Sequence, residues 1–333
     1  MSAQVGRRTA IGGFIGLLIF AGAMTLRTLF PGDASAGLPD AALDFFTLSI
    51  SVFVESLPFI FLGVLLSVLV QVWLPAQLFD RILPRRPVFR RAVMSLMGVL
   101  LPVCECGNVP LARGLILRGL TVSESMTFLL AAPILNPVTI ITTYQAFGWD
   151  NGILAGRIIG GFVIANLVGW VFSKHPRQPE LLTPRFEAHC QSHHGESGSG
   201  DKLRRSVRGF AEETSAMLPA LVVGSAVAGA IQVGISRDIL IALGSNPIWS
   251  VLALMGLAFI IAICSNVDAF FILSFGSTFM PGSIVAFLTF GAMVDLKMLV
   301  LLRTTFTSAT LVRLTAVVGL CCMILGFGVN LIG

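Results

Sequence analysis

Apolar residues along this chain fall in runs separated by short charged stretches, and most runs approach the roughly 20 residues that a helix needs to cross a bilayer. Residues 11–26, 45–74, 152–172, 209–235, 283–302 and 312–331 read as crossings. Residues 122–147 read as one more, interrupted by Pro133 and Asn136-Pro137. Proline removes a backbone donor and clashes with the preceding turn, so that span is expected to be kinked or broken near its middle. Two places depart from the pattern. The runs 92–101 and 111–120, on either side of Leu-Pro-Val-Cys-Glu-Cys-Gly-Asn-Val-Pro at 101–110, are too short to cross, and residues 248–264 and 269–279 form a second short pair. Half-helices that meet inside the membrane account for each pair. Irregular backbone at that depth is tolerated only where protein buries it or water reaches it, so a loop of Pro, Gly, Asn and Cys there predicts a cavity. The alternative for either pair is a single long, tilted span with a Pro kink.

Composition strengthens this reading. Hydrophobic residues make up 55% of the 333 residues and charged residues only 12%, and the mean hydropathy is +0.90. Such a chain is a polytopic membrane protein. Its net charge of +5 then reports topology rather than nucleic-acid binding, because Lys and Arg sort to the cytoplasmic side. All 22 Lys and Arg fall in segments assigned to that side except Arg27, Arg157, Arg237 and Lys297. The acidic loop 31–44 falls outside. This path sets the protein in the cell (inner) membrane with a cytoplasmic N-terminus and an external C-terminus. The N-terminal run is read as an uncleaved span, with cleavage near Ala34-Ser35-Ala36 left open. Six Cys, most of them in apolar segments, do not suggest a disulfide framework.

The chain also repeats itself. Leu57-Pro58, Gly63 and Gln71-Val72 recur as Leu218-Pro219, Gly224 and Gln232-Val233 at an offset of 161. Cys106-Gly-Asn108-Val109 recurs as Cys264-Ser-Asn266-Val267 at 158, and Asn136 falls opposite Asp295 at 159. Each copy holds three crossings and one short pair, and an odd number of crossings inverts the second copy. The expected fold is therefore all-α and polytopic: two inverted repeats, each of three transmembrane helices plus a re-entrant half-helix hairpin, preceded by an extra N-terminal transmembrane helix. The divisions are 1–43 for that helix and an external loop, 44–173 for the first repeat, 174–208 for a cytoplasmic linker, and 209–333 for the second repeat. Inverted repeats with broken helices at the midplane are the architecture of secondary transporters.

Residue types at the breaks suggest the chemistry. Thiols select soft, thiophilic species over hard ions. Cys104 and Cys106, joined by Cys264 from the other repeat, are expected to bind a metal or metalloid near the bilayer midplane. Glu105, Asn108, Pro110, Asn136 and Asn266 complete the expected substrate site. Half-helix N-termini near Asn108 and Asp268 are expected to point unpaired N–H groups into the same cavity. Ionisable residues in apolar spans are functional candidates, and Glu55, Asp268, Asp295 and Lys297 are assigned to ion coupling. Asp295 and Lys297 stand two apart, so each needs another partner. Cys321 and Cys322 read as packing residues. The linker carries all four His, and His189-Cys190-Gln-Ser-His193-His194 has the composition of a metal-binding tract, although a solvated tether fits its neighbours better.

These motifs carry a resemblance. The Pro-Val-Cys-Glu-Cys-Gly-Asn-Val-Pro loop, Ala-Pro-Ile-Leu-Asn-Pro at 132–137 and the later Cys-Ser-Asn-Val-Asp resemble the DUF318 (UPF0718) permease family, which includes the ArsP-type exporters of trivalent organoarsenicals. The resemblance runs from about residue 44 onward. It implies a multi-pass permease, not an enzyme, that exports a soft metal, metalloid or organometalloid. The arsenical exporters usually carry Ser where this chain has Glu105, which favours a cationic metal or another thiol-reactive compound. The expected function is a secondary transporter working by alternating access with protons as coupling ion, without a cofactor, in the lipid bilayer and open to homo-oligomerisation. A membrane-embedded thiol-disulfide oxidoreductase using Cys104 and Cys106 is the alternative. A channel is disfavoured because Glu55, Asp268 and Asp295 look like coupling groups rather than a permeation ring.

Overall fold

The computed structural model describes residues 40–74, 79, 81–101, 103–149, 151–193, 202–234, 247–274 and 279–332. Most of the expected N-terminal crossing and external loop lies outside these residues. The described residues are almost wholly helical. A first group comprises α1 (Asp40–Val68, ending in a π-helical turn at Leu69–Trp73), α2 (Pro87–Leu100), α3 (Glu105–Leu117), α4 (Val122–Ala131), α5 (Pro137–Phe147) and α6 (Ile153–Ser173). The linker helix is α7 (Pro184–His193). A second group comprises α8 (Lys202–Gly234), α9 (Pro247–Ile261), α10 (Asp268–Leu273), α11 (Pro281–Met293), α12 (Leu296–Leu302) and α13 (Ser308–Ile332).

Among the described residues, five segments are long and apolar enough to cross a membrane: Ala41–Trp73, Ile153–Ser173, Lys202–Gly234, Pro281–Leu302 and Ser308–Leu331. The chain is thus a multi-pass membrane protein. The span expected over 122–147 is broken, as its prolines require. Residues 132–136 leave the helix, and Pro137 restarts it at N1 with Asn136 as N-cap, its Oδ1 accepting from Val138 N at 2.9 Å. The second group has a matching break within Pro281–Leu302 that the hydrophobic pattern hides. There Val294 and Asp295 are extended, and the Asp295 carboxylate caps α12 by accepting from Met298 N.

The two groups pack alike. α2 lies on α4 as α9 lies on α11, and α4 on α6 as α11 on α13. Across the groups, α3 meets α12 as α10 meets α5, while the long α1 and α8 lie against each other. Small residues permit the closest approaches. A Cβ on Gly63 of α1 would fall 2.1 Å from the Gly107 carbonyl oxygen of α3, and that backbone has no room to give.

The linker is anchored ahead of its His-Cys tract. Leu181, Leu182 and Phe186 are buried, and Leu182 forms a β-bridge with Phe306. Thr183 N donates to Thr305 O at 2.8 Å and Thr307 N to Leu181 O at 3.1 Å. The first half of the linker is therefore fastened to the turn between α12 and α13, and α8 starts at Lys202 rather than at 209. His194 and the Gly/Ser stretch after it lie outside the described residues. Burial pushes the Cys190 thiol of α7 up to about 11.

Two outcomes follow from this packing. Gly63→Ala should destabilise the protein by about 1–3 kcal/mol through overpacking, whereas Gly256→Ala, with nothing within 4 Å, should not; thermal unfolding in detergent compares them. Cys190 should alkylate at pH 8 roughly 10- to 100-fold more slowly than a peptide thiol, and its rate should keep rising above pH 9, because deprotonation is deferred to higher pH. Maleimide labelling followed by mass spectrometry reads this directly.

Candidate functional site

Two loops with one geometry come together at the centre. After α2, the Cys104 carbonyl accepts from Gly107 N and Asn108 N, both at 3.1 Å, and α3 begins. After α9, Ala262 at φ +50° turns the chain. The Cys264 carbonyl then accepts from Val267 N at 3.0 Å and Asp268 N at 3.1 Å, and α10 begins. By backbone pairing, Cys104 rather than Cys106 therefore stands in the place of Cys264. The first helix also starts at Glu105, one turn earlier than the expected Asn108. This brings the Glu105 carboxylate to a helix N-terminus, where the aligned peptide dipoles favour negative charge.

Cys104, Glu105 and Cys264 each offer a ligand atom, and these atoms all lie within 4.8 Å of one another, every one buried. No His joins a comparable group among the described residues. Glu105 Oε2 accepts from Ser265 Oγ at 3.0 Å and Ser265 N at 3.4 Å, with Cys264 Sγ at 4.0 Å. Its Oε1 lies 3.7 Å from Lys297 Nζ and accepts no hydrogen bond. Lys297 donates to Ser56 Oγ at 3.3 Å, and Cys106 Sγ donates to the same hydroxyl at 3.5 Å. Cys106 stands outside the set of three. Pro110 lies inside α3 and, lacking an N–H, leaves the Cys106 carbonyl without its helical partner. Asn108 donates to Val103 O at 3.3 Å, and its buried Oδ1 accepts nothing.

A second polar cluster adjoins the first. Arg157 of α6 grips Asp268 through two bonds, Nη1 to Oδ1 at 2.9 Å and Nη2 to Oδ2 at 2.6 Å. Arg157 also donates to Thr143 Oγ1 at 2.8 Å. Asn266 Oδ1 accepts from Thr139 Oγ1 at 3.1 Å and Asn136 Nδ2 at 3.5 Å.

Of the residues assigned to coupling, Asp268 is clamped by Arg157 and Lys297 faces Glu105. Asp295 spends one carboxylate oxygen on its cap and leaves Oδ2 buried without a partner. Glu55 is exposed. A groove of about 1000 Å³ runs between α6 and α13, and another of about 870 Å³ lies among α8, α12 and α13. Neither contains Cys104, Cys106 or Cys264, which are buried, although Cys321 lines the first.

Residues 41–331 match the model of a family described as predicted permease (ArsP_1). The chain is 36% identical over 259 residues to the UPF0718 protein YcgR of Bacillus subtilis, covering 77% of this chain and 87% of that one. The chain belongs to the UPF0718 permease family. It is also 30% identical over 297 residues, 87% of this chain and 97% of the other, to a Streptococcus mutans protein provisionally described as a two-component membrane permease complex subunit. With the UPF0718 protein YraQ of Escherichia coli it shares 25% identity over 269 residues, 80% of this chain and 75% of that one. No solved structure matches.

Sequence reasoning missed three members of this permease's centre: Arg157, Ser56 and Ser265. Arg157 carried a signal, since it is an ionisable residue in an apolar span, the same criterion that selected Lys297. Ser56 carried none, whereas Ser265 stands inside the Cys-Ser-Asn-Val motif. Arg157→Met should therefore destabilise strongly, by about 3–5 kcal/mol, because it strands a buried carboxylate, and Arg157→Met/Asp268→Leu should recover much of the loss. Thermal stability of the purified variants in detergent checks both.

Proposed function

We propose that this permease is a secondary transporter that exports a thiophilic metal, metalloid or organometalloid, with Cys104, Cys106 and Cys264 forming the cargo site near the bilayer midplane. The observation that carries this reading is the meeting of thiols from both halves of the chain around one buried carboxylate, at two loops with the same backbone turn. A protein interior excludes water from such a group. Thiols there are held for binding rather than exposed to oxidants.

On this reading the 44–173 and 209–333 segments are inverted repeats whose broken helices are re-entrant, and transport proceeds by alternating access. Matching helix contacts and matching breaks at 132–136 and 294–295 support the duplication. Cargo release requires the halves to part, and the buried pairs Glu105–Lys297, Arg157–Asp268 and Arg113–Glu213 all run between them. Protons are the coupling ion, with Glu55 and Asp295 as carriers, because Asp268 is held by a guanidinium. Asn108, Asn136 and Asn266 line the path, with Pro110 freeing a carbonyl beside it. The protein works in the cell membrane with its N-terminus cytoplasmic, its linker inside and its C-terminus outside.

A growth challenge of a metal-sensitive strain tests the reading. Expression should raise tolerance to at least one member of a panel of As(III), methylated As(III), Sb(III), Cu, Zn, Cd and Hg. Cys104→Ser and Cys264→Ser should abolish the gain at unchanged membrane levels, and Cys321→Ser/Cys322→Ser should retain it. No gain against any of the panel, or full gain in Cys264→Ser, overturns the proposal.

A further inference from the structure

Resting on the reading of the cysteines as a cargo site, we infer that the cargo is a soft divalent cation held jointly by Cys104, Cys264 and Glu105, with Lys297 as the resident counter-charge. The three ligand atoms lie within 4.8 Å of one another. Ligands at about 2.0–2.3 Å from Zn²⁺ sit within about 4 Å of each other, so a small inward movement of side chains closes the set. The donor mix of two sulfurs and one carboxylate oxygen suits Zn²⁺ or Cd²⁺. A neutral organometalloid is satisfied by the sulfurs alone and gives the carboxylate no role.

Charge narrows the choice further. Glu105 Oε1 faces the Lys297 ammonium at 3.7 Å yet accepts no hydrogen bond, so it is compensated in charge and still open to a new ligand bond. Binding a divalent cation forms two metal–sulfur bonds and one metal–oxygen bond, and the two thiol protons leave. The two charges of the ion replace those two protons. With the carboxylate and ammonium retained, the exchange leaves the buried charge unchanged, and Asp295, buried two residues from Lys297, contributes equally before and after. The same exchange with a monovalent ion makes the buried charge more negative by one, and with a trivalent ion more positive by one, and either shift has to be stabilised in a low dielectric. Cys106 stays out of the set because its thiol is engaged by Ser56 Oγ at 3.5 Å.

The test titrates the full-length protein in detergent with Cd²⁺, followed by thiolate-to-metal absorption in the ultraviolet, and in parallel with phenylarsine oxide, a neutral probe that takes paired thiols. One Cd²⁺ per chain should bind, and Cys104→Ser or Cys264→Ser should remove the absorption. Glu105→Gln should weaken Cd²⁺ by at least about tenfold while phenylarsine oxide binds as before. If Glu105→Gln does not insert, the charge-balanced Glu105→Gln/Lys297→Gln pair carries the same comparison. Equal Cd²⁺ affinity with and without Glu105 overturns the inference. Capture of phenylarsine oxide by Cys104 and Cys264 without any Cd²⁺ binding also overturns it and leaves the cysteine site standing, whereas binding of neither probe removes both.

Discussion

Charge crossing between the two halves of the chain is the constraint on which the centre of this permease depends. A carboxylate in the first loop is balanced by an ammonium from the second half, and a carboxylate in the second loop by a guanidinium from the first. Coulomb attraction between such groups grows as the surroundings lose water, but so does the cost of leaving either one alone. Neither loop can therefore carry its acid into the interior without the opposite half in place. The thiols sit beside these acids because the same short helices that position Glu105 and Asp268 begin at Cys104 and shortly after Cys264.

Two kinds of information were readable from the residues. Elements whose signal is local were legible: the long apolar runs became α1, α6, α8 and α13, and the Asn136-Pro137 pair became a capped helix restart. Helix contacts in the two groups follow the same order, α2 on α4 as α9 on α11 and α4 on α6 as α11 on α13. What could not be read depends on distance in space. Asp295 looked like a charge in a continuous span, since nothing nearby in sequence marks a break; the break exists because a carboxylate capping a helix start is satisfied there. Lys297 needed a partner, and only the fold supplies Glu105. The identity-based alignment set Cys106 opposite Cys264, whereas backbone hydrogen bonds set Cys104 there, because short matches slip by two residues when the loops differ in length.

Three of the fourteen buried polar side-chain atoms without a hydrogen-bond partner among the described residues belong to this centre. Glu105 Oε1, Asn108 Oδ1 and Asp295 Oδ2 are buried and unpartnered, in a region otherwise packed by Leu, Phe and Val. Buried polar atoms are normally satisfied, and each exception calls for a reason.

The fastening of the linker bears on how such a molecule moves. Residues 181–183 are stitched to 305–307 by a β-bridge and flanking backbone bonds, so the strand that joins the halves is anchored to the far half before α8 begins. Any swing of one half against the other must either hinge upstream of that seam, near Lys174–Gln178, or unzip it. The reach of any such motion is then set by the residues between the end of α6 and that seam.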